Sequence, residues 1–354
     1  MMTDLKQLVE QAKQSELFTA PHLEADLAAF LAEQGEAIKA LAAEAVASGV
    51  QHIYFVGSGG SWANMHSATY LMERFTTIPS DALTGYELVW RDPARLGPDS
   101  WVFATSYSGN TEDTIAALRH AKSKGARTIG IARRRESTIK READVLIDYD
   151  STALYILPLA TVYLFALEVA RLQGNKAVEP VIEGLLTLPP LLSRVYRASE
   201  ARAAALSEQF ADSTLLYAVA AGPLYGLAYK FALTVFMENI RVHGSVIASD
   251  EFRQGPVEAL DRQGMDIVFL LGTDESRAMT QRVLDTVRAR PNVRTIVYDM
   301  ADYPDVHPLL APFVLLIPLQ WFVVYSALRA GIHDLDERVF MGRGVLATGG
   351  ATWP

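Results

Sequence analysis

A repeat constrains this chain more than any other feature. Three short apolar runs, each followed by a helix-like stretch, occur twice in the same order within 354 residues. Tyr54-Phe55-Val56-Gly57 is echoed by Val219-Ala220-Ala221-Gly222. Trp101-Val102-Phe103-Ala104 is echoed by Ile267-Val268-Phe269-Leu270, and Arg127-Thr128-Ile129-Gly130 by Arg294-Thr295-Ile296-Val297. The offsets are 165, 166 and 167 residues, a constancy that chance likeness of short runs rarely gives. Apolar runs alternating with helical patterns predict parallel strands whose crossovers cover both sheet faces. The expected class is α/β, with two tandem three-layer αβα units. Residues 1–50 form a helical N-terminal extension, 51–175 the first unit and 176–354 the second with its tail. The boundary falls near 173–179, where Gly, Asn and charge interrupt the periodicity, and each unit is long enough to bury a core of its own.

Strands are expected at 53–56, 101–104, 128–132 and 145–149, and helices at 62–75 and 154–172. The stretch 309–328 is apolar enough to raise the question of a membrane span. Pro312, Pro318 and Gln320 interrupt it, so a strand at 313–317 followed by a buried helix is expected, and no membrane. A formal net charge of −9 argues against a nucleic-acid partner, which calls for a basic face. The absence of cysteine excludes disulfides, thiolate nucleophiles and cysteine-held metals. The seven histidines show no metal-ligand spacing, so neither metal nor cofactor is expected. The opening MMTDLKQLVEQAKQ is amphipathic without the apolar core of a secretory signal, which points to the cytoplasm.

Only the first copy carries a loop dense in hydroxyls, Ser106-Tyr107-Ser108-Gly109-Asn110-Thr111, set between a strand and a helical stretch. Hydroxyl and amide donors at a helix start, helped by the helix dipole, suit a phosphate. The loop Gly57-Ser58-Gly59-Gly60-Ser61 lacks the third glycine of a dinucleotide site and runs into Trp62. It is better read as a companion loop, with Gly60 and Ser61 as donors. The bland alternative for the 106–111 loop is an ordinary turn with capping residues. Glu112 and Asp113 suit a first helical turn in either case, but would have to point away from an anion. In the second copy this place holds Gly272-Thr273-Asp274-Glu275-Ser276-Arg277, whose two carboxylates would repel an anion, so one working cradle per chain is expected.

The second informative segment is YKFALTVFMENIRVHGSVIASDEFRQGPVEAL, residues 229–260. Glu238 follows an apolar helical run, where a carboxylate is costly unless partnered or useful. It is read as a base that moves a proton beside a sugar carbonyl. Its bland alternative is a structural ion pair with Arg241 or Lys230. His243 and Gln254 follow five and sixteen residues later.

At these residues the chain resembles the tandem sugar isomerase (SIS) domain family, from about Gln51 to its end. Ser106, Tyr107, Ser108 and Thr111 match that family's phosphate loop, and Gly60 and Ser61 its companion. The second half is similar to the family's deglycases of phosphorylated Amadori compounds, through VAAGPLYGLAYK, EFRQGP, FLLGTDESR, HPLLAPF and DERVFMG. The chain also resembles the isomerase half of glucosamine-6-phosphate synthase. The resemblance implies that Glu238 is the catalytic glutamate and that Gln254 stands where the family usually has histidine. Glutamine can hydrogen-bond a sugar oxygen but exchanges no proton near neutral pH. His243 and Glu251 are candidates for the missing acid, and Arg343 falls near the family's C-terminal lysine. The turn around Gln254 often reaches a neighbouring subunit in this family, which implies a homodimer. The implied substrate is a phosphorylated sugar or sugar-amine. Three activities stay open: a ketose-amine 6-phosphate deglycase, an aldose–ketose isomerase of a phosphosugar or sulfosugar, and a non-catalytic phosphosugar sensor.

Overall fold

The computed structural model describes residues 5–153, 155–261 and 264–342. Two parallel sheets form from the repeated runs. The first holds β1 (His52–Val56), β2 (Ser80–Leu83), β3 (Ser100–Thr105), β4 (Arg127–Arg133) and β5 (Val145–Tyr149), in the order β2-β1-β3-β4-β5. The second holds β6 (Leu215–Ala220), β7 (His243–Ala248), β8 (Met265–Leu271) and β9 (Val293–Asp299), in the order β7-β6-β8-β9. All these pairings are parallel. Thus β1 and β6, β3 and β8, and β4 and β9 hold equivalent places, as the repeat requires. All of β1 and β3 is buried, which is why they read as unbroken apolar runs.

The helices that matter for the site begin with α1 (Leu23–Ser48), α2 (Gly60–Phe75), α3 (Glu112–Ser123), α4 (Ile156–Leu172) and α5 (Pro189–Gln209). Helix α6 starts as an α-turn, Tyr225–Tyr229, and passes without a break into a wider π-wound segment, Lys230–Ile240. Helix α7 spans Ala311–Arg329. The two sheets share their main core. Phe55, Phe103 and Ile131 from the first join Val268 and Ile296 from the second in one apolar cluster, with Phe165 of α4 and Trp321 of α7 in the same cluster. The Trp321 indole N–H is satisfied by the Tyr196 carbonyl at 2.9 Å, so this largest fully buried side chain carries no polar penalty.

Residues 313–317 are not a strand. They lie inside α7, and 94% of the apolar stretch that raised the membrane question is buried in the fold. A run buried on all sides reads equally well as strand or helix. Pro312 sits in the first turn, where its missing N–H costs nothing, and Pro318 is tolerated in the interior because the surrounding core holds the helix.

Candidate active site

Two loops leave the carboxyl ends of the neighbouring strands β1 and β3, where ligands of open parallel sheets bind. The loop after β3 wraps its hydroxyls around Ser106, which is buried. Ser106 Oγ lies 2.7 Å from Thr111 Oγ1 and 3.2 Å from Ser108 Oγ, and accepts the Gly109 N–H at 3.1 Å. Thr111 precedes α3, yet its hydroxyl bonds Ser106 and does not cap the helix. Gly109 has φ 67°, and a Cβ there would collide with the Ser137 hydroxyl, so only glycine fits this turn. The two acids that open α3 are occupied: Glu112 accepts from the Tyr86 hydroxyl at 2.9 Å, and Asp113 accepts from the Ser58 hydroxyl.

Tyr107 leaves this turn toward the N-terminal segment. Its hydroxyl donates to Glu16 at 2.9 Å and accepts from Arg133 at 2.8 Å. Burial and the bond to Glu16 push the phenol up to about 12, so it stays protonated through the neutral range.

These loops form one wall of a cavity of about 480 Å³. Gly60, Ser61, Tyr107, Ser108 and Thr111 line it, together with the face of α6 that carries Lys230, Thr234 and Glu238. Ser106 stands behind, holding two of the lining hydroxyls. Glu238 is half-exposed toward this space rather than buried, and its partner is neither Arg241 nor Lys230. Its Oε2 meets Arg338 Nη2 at 3.1 Å. Arg338 belongs to a C-terminal segment that lines the cavity and is fastened to α6 twice more. Asn239 donates to the Leu335 carbonyl at 2.9 Å, and Arg241 pairs with Glu337 at 2.8 Å. Asp336 ties the same segment to the N-terminal strap, accepting from Ser15 Oγ at 2.6 Å and from the backbone of Glu16 and Leu17 at 3.0 Å each.

His243, Gln254 and Glu251 do not reach this cavity within their own chain. Arg241 takes a left-handed conformation (φ 61°) and reverses the chain from α6 into β7, which His243 begins. Six strand residues, at about 3.3 Å each, then carry the chain away from Glu238. Glu251 and Gln254 line a separate depression beside Tyr217, Tyr225 and Ser245. His243 is exposed and lines neither space. Arg343 lies outside the described residues.

In the second copy, Glu275 is held by Arg74 at 2.8 Å and Asp274 accepts from the Ser276 amide at 2.9 Å, so both carboxylates remain where a cradle would need donors. Among the described residues no cluster of three or more His, Asp or Glu could hold a metal.

The sequence alone does not single out Thr234 or Arg338, and presents Lys230 only as an ion-pair candidate. One signal is there: Lys230, Thr234 and Glu238 recur every four residues, close to one turn of either an α- or a π-helix, and so share a face. Arg338 falls within DERVFMG, a segment that carries the resemblance, but nothing local shows that it meets Glu238, because only folding brings the C-terminal segment back to α6.

A hydroxyl-lined turn and a carboxylate face one cavity mounted on tandem parallel sheets, an arrangement with donors and a base of the kind a phosphosugar enzyme needs. Comparison agrees: a family model described as SIS domain matches residues 48–172. The chain is 34% identical over 307 residues to the fructoselysine 6-phosphate deglycase of Escherichia coli K12, covering 86% of this chain and 89% of that protein. It is 31% identical over 305 residues to the fructosamine deglycase of Bacillus subtilis 168, covering 82% and 92%. The C-terminal domain of glucosamine-fructose-6-phosphate aminotransferase from Francisella tularensis superposes with a TM-score of 0.77 over 90% of this chain and 97% of its own, at 20% identity, and so shares the fold. The chain belongs to the SIS domain family and is a sugar-phosphate deglycase or isomerase of that family.

Proposed function

We propose that this protein is a deglycase that hydrolyses a ketose-amine 6-phosphate to an aldose 6-phosphate and a free amine or amino acid. The observation that carries the reading is the shared cavity of Glu238 and the Ser106–Thr111 hydroxyls. With the phosphate in the cradle, the open sugar chain extends along α6 toward the glutamate. Glu238 takes a proton from C1, giving an enolamine, and returns it to C2. The nitrogen loses its proton, the C2 oxygen gains one, and the resulting C1 imine adds water and releases the amine. A positioned base supplies about a hundred- to ten-thousand-fold in such a step. The names of the relatives above support the same substrate class.

We place the Gln254 turn, exposed here, against the cavity of a second copy in a homodimer, where its amide hydrogen-bonds a sugar oxygen. A cysteine-free metabolic enzyme of this kind fits the cytoplasm.

One observation favours a second reading. No histidine among the described residues lines the cavity and Gln254 cannot exchange protons, so acid help for the departing amine is weaker than an imidazole would give. An aldose–ketose isomerase needs no such departure. The products decide: incubation with fructoselysine 6-phosphate releases lysine from a deglycase, whereas an isomerase leaves it intact and equilibrates a hexose 6-phosphate pair.

A further inference from the structure

The cradle's donors are hydroxyls and amides, all neutral, yet a sugar phosphate carries close to two negative charges at neutral pH. Two cations line the cavity, Lys230 and Arg338, and Arg338 is paired with Glu238. Lys230 is only 6% exposed, and its side chain lines the cavity from α6. Its ammonium has no hydrogen-bond acceptor and no carboxylate within ion-pair distance among the described residues, an unusual state for a buried charge. Its nearest notable contact is the ring of Tyr155, 5.2 Å from Nζ to the centroid.

We propose that Lys230 is the cationic ligand of the substrate's phosphate, completing from the α6 side the cradle formed by the Ser106–Thr111 and Gly59–Ser61 loops. This assignment rests on reading the cavity as the substrate site. Gly60 supports it: a Cβ there would lie 3.1 Å from Nζ, so the glycine leaves the ammonium room against the start of α2. That start also carries the positive end of the α2 dipole, which favours an anion. Spacing supports it as well. Lys230 and Glu238 sit about two turns apart on one helix face, about 12 Å along the axis at the α-helical rise and less where the winding is wider. A six-carbon chain separates the reacting carbons of a ketose-amine from its phosphate in the same way. The lysine therefore belongs to the phosphate end and the glutamate to the carbonyl end.

The charged and titratable groups around this space are Glu16, Tyr107, Tyr155, Glu238, Asp336 and Arg338. Burial pushes the free lysine down to about 8; Glu238 pulls it upward and Arg338 downward. Lys230 is thus charged at neutral pH, and a bound dianion would hold it so. Below about 6 the phosphate takes up a proton, and above about 8 the lysine loses one, so affinity should peak between these limits.

The test is calorimetric titration of the wild type and of Lys230→Met with glucitol 6-phosphate, an open-chain ligand without a carbonyl, and with unphosphorylated glucitol. At pH 7 the variant should bind the phosphorylated ligand at least about tenfold more weakly, in line with loss of a charge-assisted contact. Any weak affinity for glucitol should be unchanged. Wild-type affinity should fall from about pH 8 to about pH 10, whereas that of the variant should stay flat. Affinity within about threefold of wild type, or a loss that keeps the wild-type pH profile, overturns the assignment. If Lys230→Met does not fold, Lys230→Gln and the wild-type profile decide, and a profile flat to about pH 10 overturns it. Lysine release from fructoselysine 6-phosphate is measured separately. Release with Lys230-independent binding sinks this assignment alone; Lys230-dependent binding without release sinks the deglycase reading alone.

Discussion

The Glu238 carboxylate and the Arg338 guanidinium meet at 3.1 Å, joining the α6 wall of the cavity to the C-terminal segment at its rim. Both side chains keep contact with solvent, 44% for the glutamate and 28% for the arginine. Such a pair contributes only about 0–1 kcal/mol to stability. What it does contribute is a fixed direction for the carboxylate. Arg338→Met should therefore leave the thermal midpoint within about 3 °C of wild type, because Asn239 and Arg241 still fasten the segment. It should lower kcat about ten- to a hundredfold through misplacement of the base. Scanning calorimetry beside steady-state kinetics checks this. Unchanged kcat, or a collapse in stability, counts against a positioning role.

Ser106 makes a different kind of contribution. It does not line the cavity, but its hydroxyl organises those of Ser108 and Thr111 and receives the Gly109 amide. Ser106→Ala removes the side-chain acceptor of that amide, which keeps the Ser106 carbonyl at 3.1 Å, at a cost of about 0.5–1.5 kcal/mol in stability, and frees the two lining hydroxyls to rotate. The expected result is a KM raised about tenfold with kcat within about threefold of wild type, the pattern of lost ground-state binding. A fall in kcat at constant KM would contradict the phosphate role of this turn.

Lys230 also predicts how stability depends on pH. Its folded value of about 8 lies below the ordinary 10.5. Between these values the unfolded chain holds a proton that the folded chain has released, so stability rises with pH across this window. Below about pH 8 both states are protonated and the penalty for burying the charge is fully present, on the order of 3 kcal/mol. Ligand-free Lys230→Met should be more stable than wild type at pH 7, with the difference shrinking toward zero near pH 10.5. Urea denaturation of both proteins at about pH 7 and about pH 9.5 measures it. A difference that does not change with pH would contradict the shifted lysine.

Much of this architecture is legible in the sequence, and the exceptions have identifiable causes. Strands β1, β3, β4, β6, β8 and β9 stand out through their apolar runs, most clearly where a central parallel strand is buried on both faces. The edge strands β2 and β7 escape notice. The first is only Ser80-Asp81-Ala82-Leu83, and the second opens on His243, Gly244 and Ser245. Neither has the density of β-branched residues that marks a central strand. The cradle is legible because consecutive residues form it. The rest of the cavity is not, because it is assembled from distant parts: the bond from the Glu16 amide to Asp336 spans 320 residues. Glu238 stands out as a lone carboxylate after an apolar run, but its neighbours Lys230 and Arg338 gain meaning only when α6 and the C-terminal segment meet.

Deglycation driven by Glu238 is tested most directly by a single-turnover assay of lysine release from fructoselysine 6-phosphate by wild-type protein and by Glu238→Gln. The deglycase mechanism predicts release in step with an aldose 6-phosphate from the wild type. It predicts a loss of about a hundredfold or more in the variant, with affinity for glucitol 6-phosphate kept within about threefold. Release that persists undiminished in Glu238→Gln, or no release from the wild type, would contradict it.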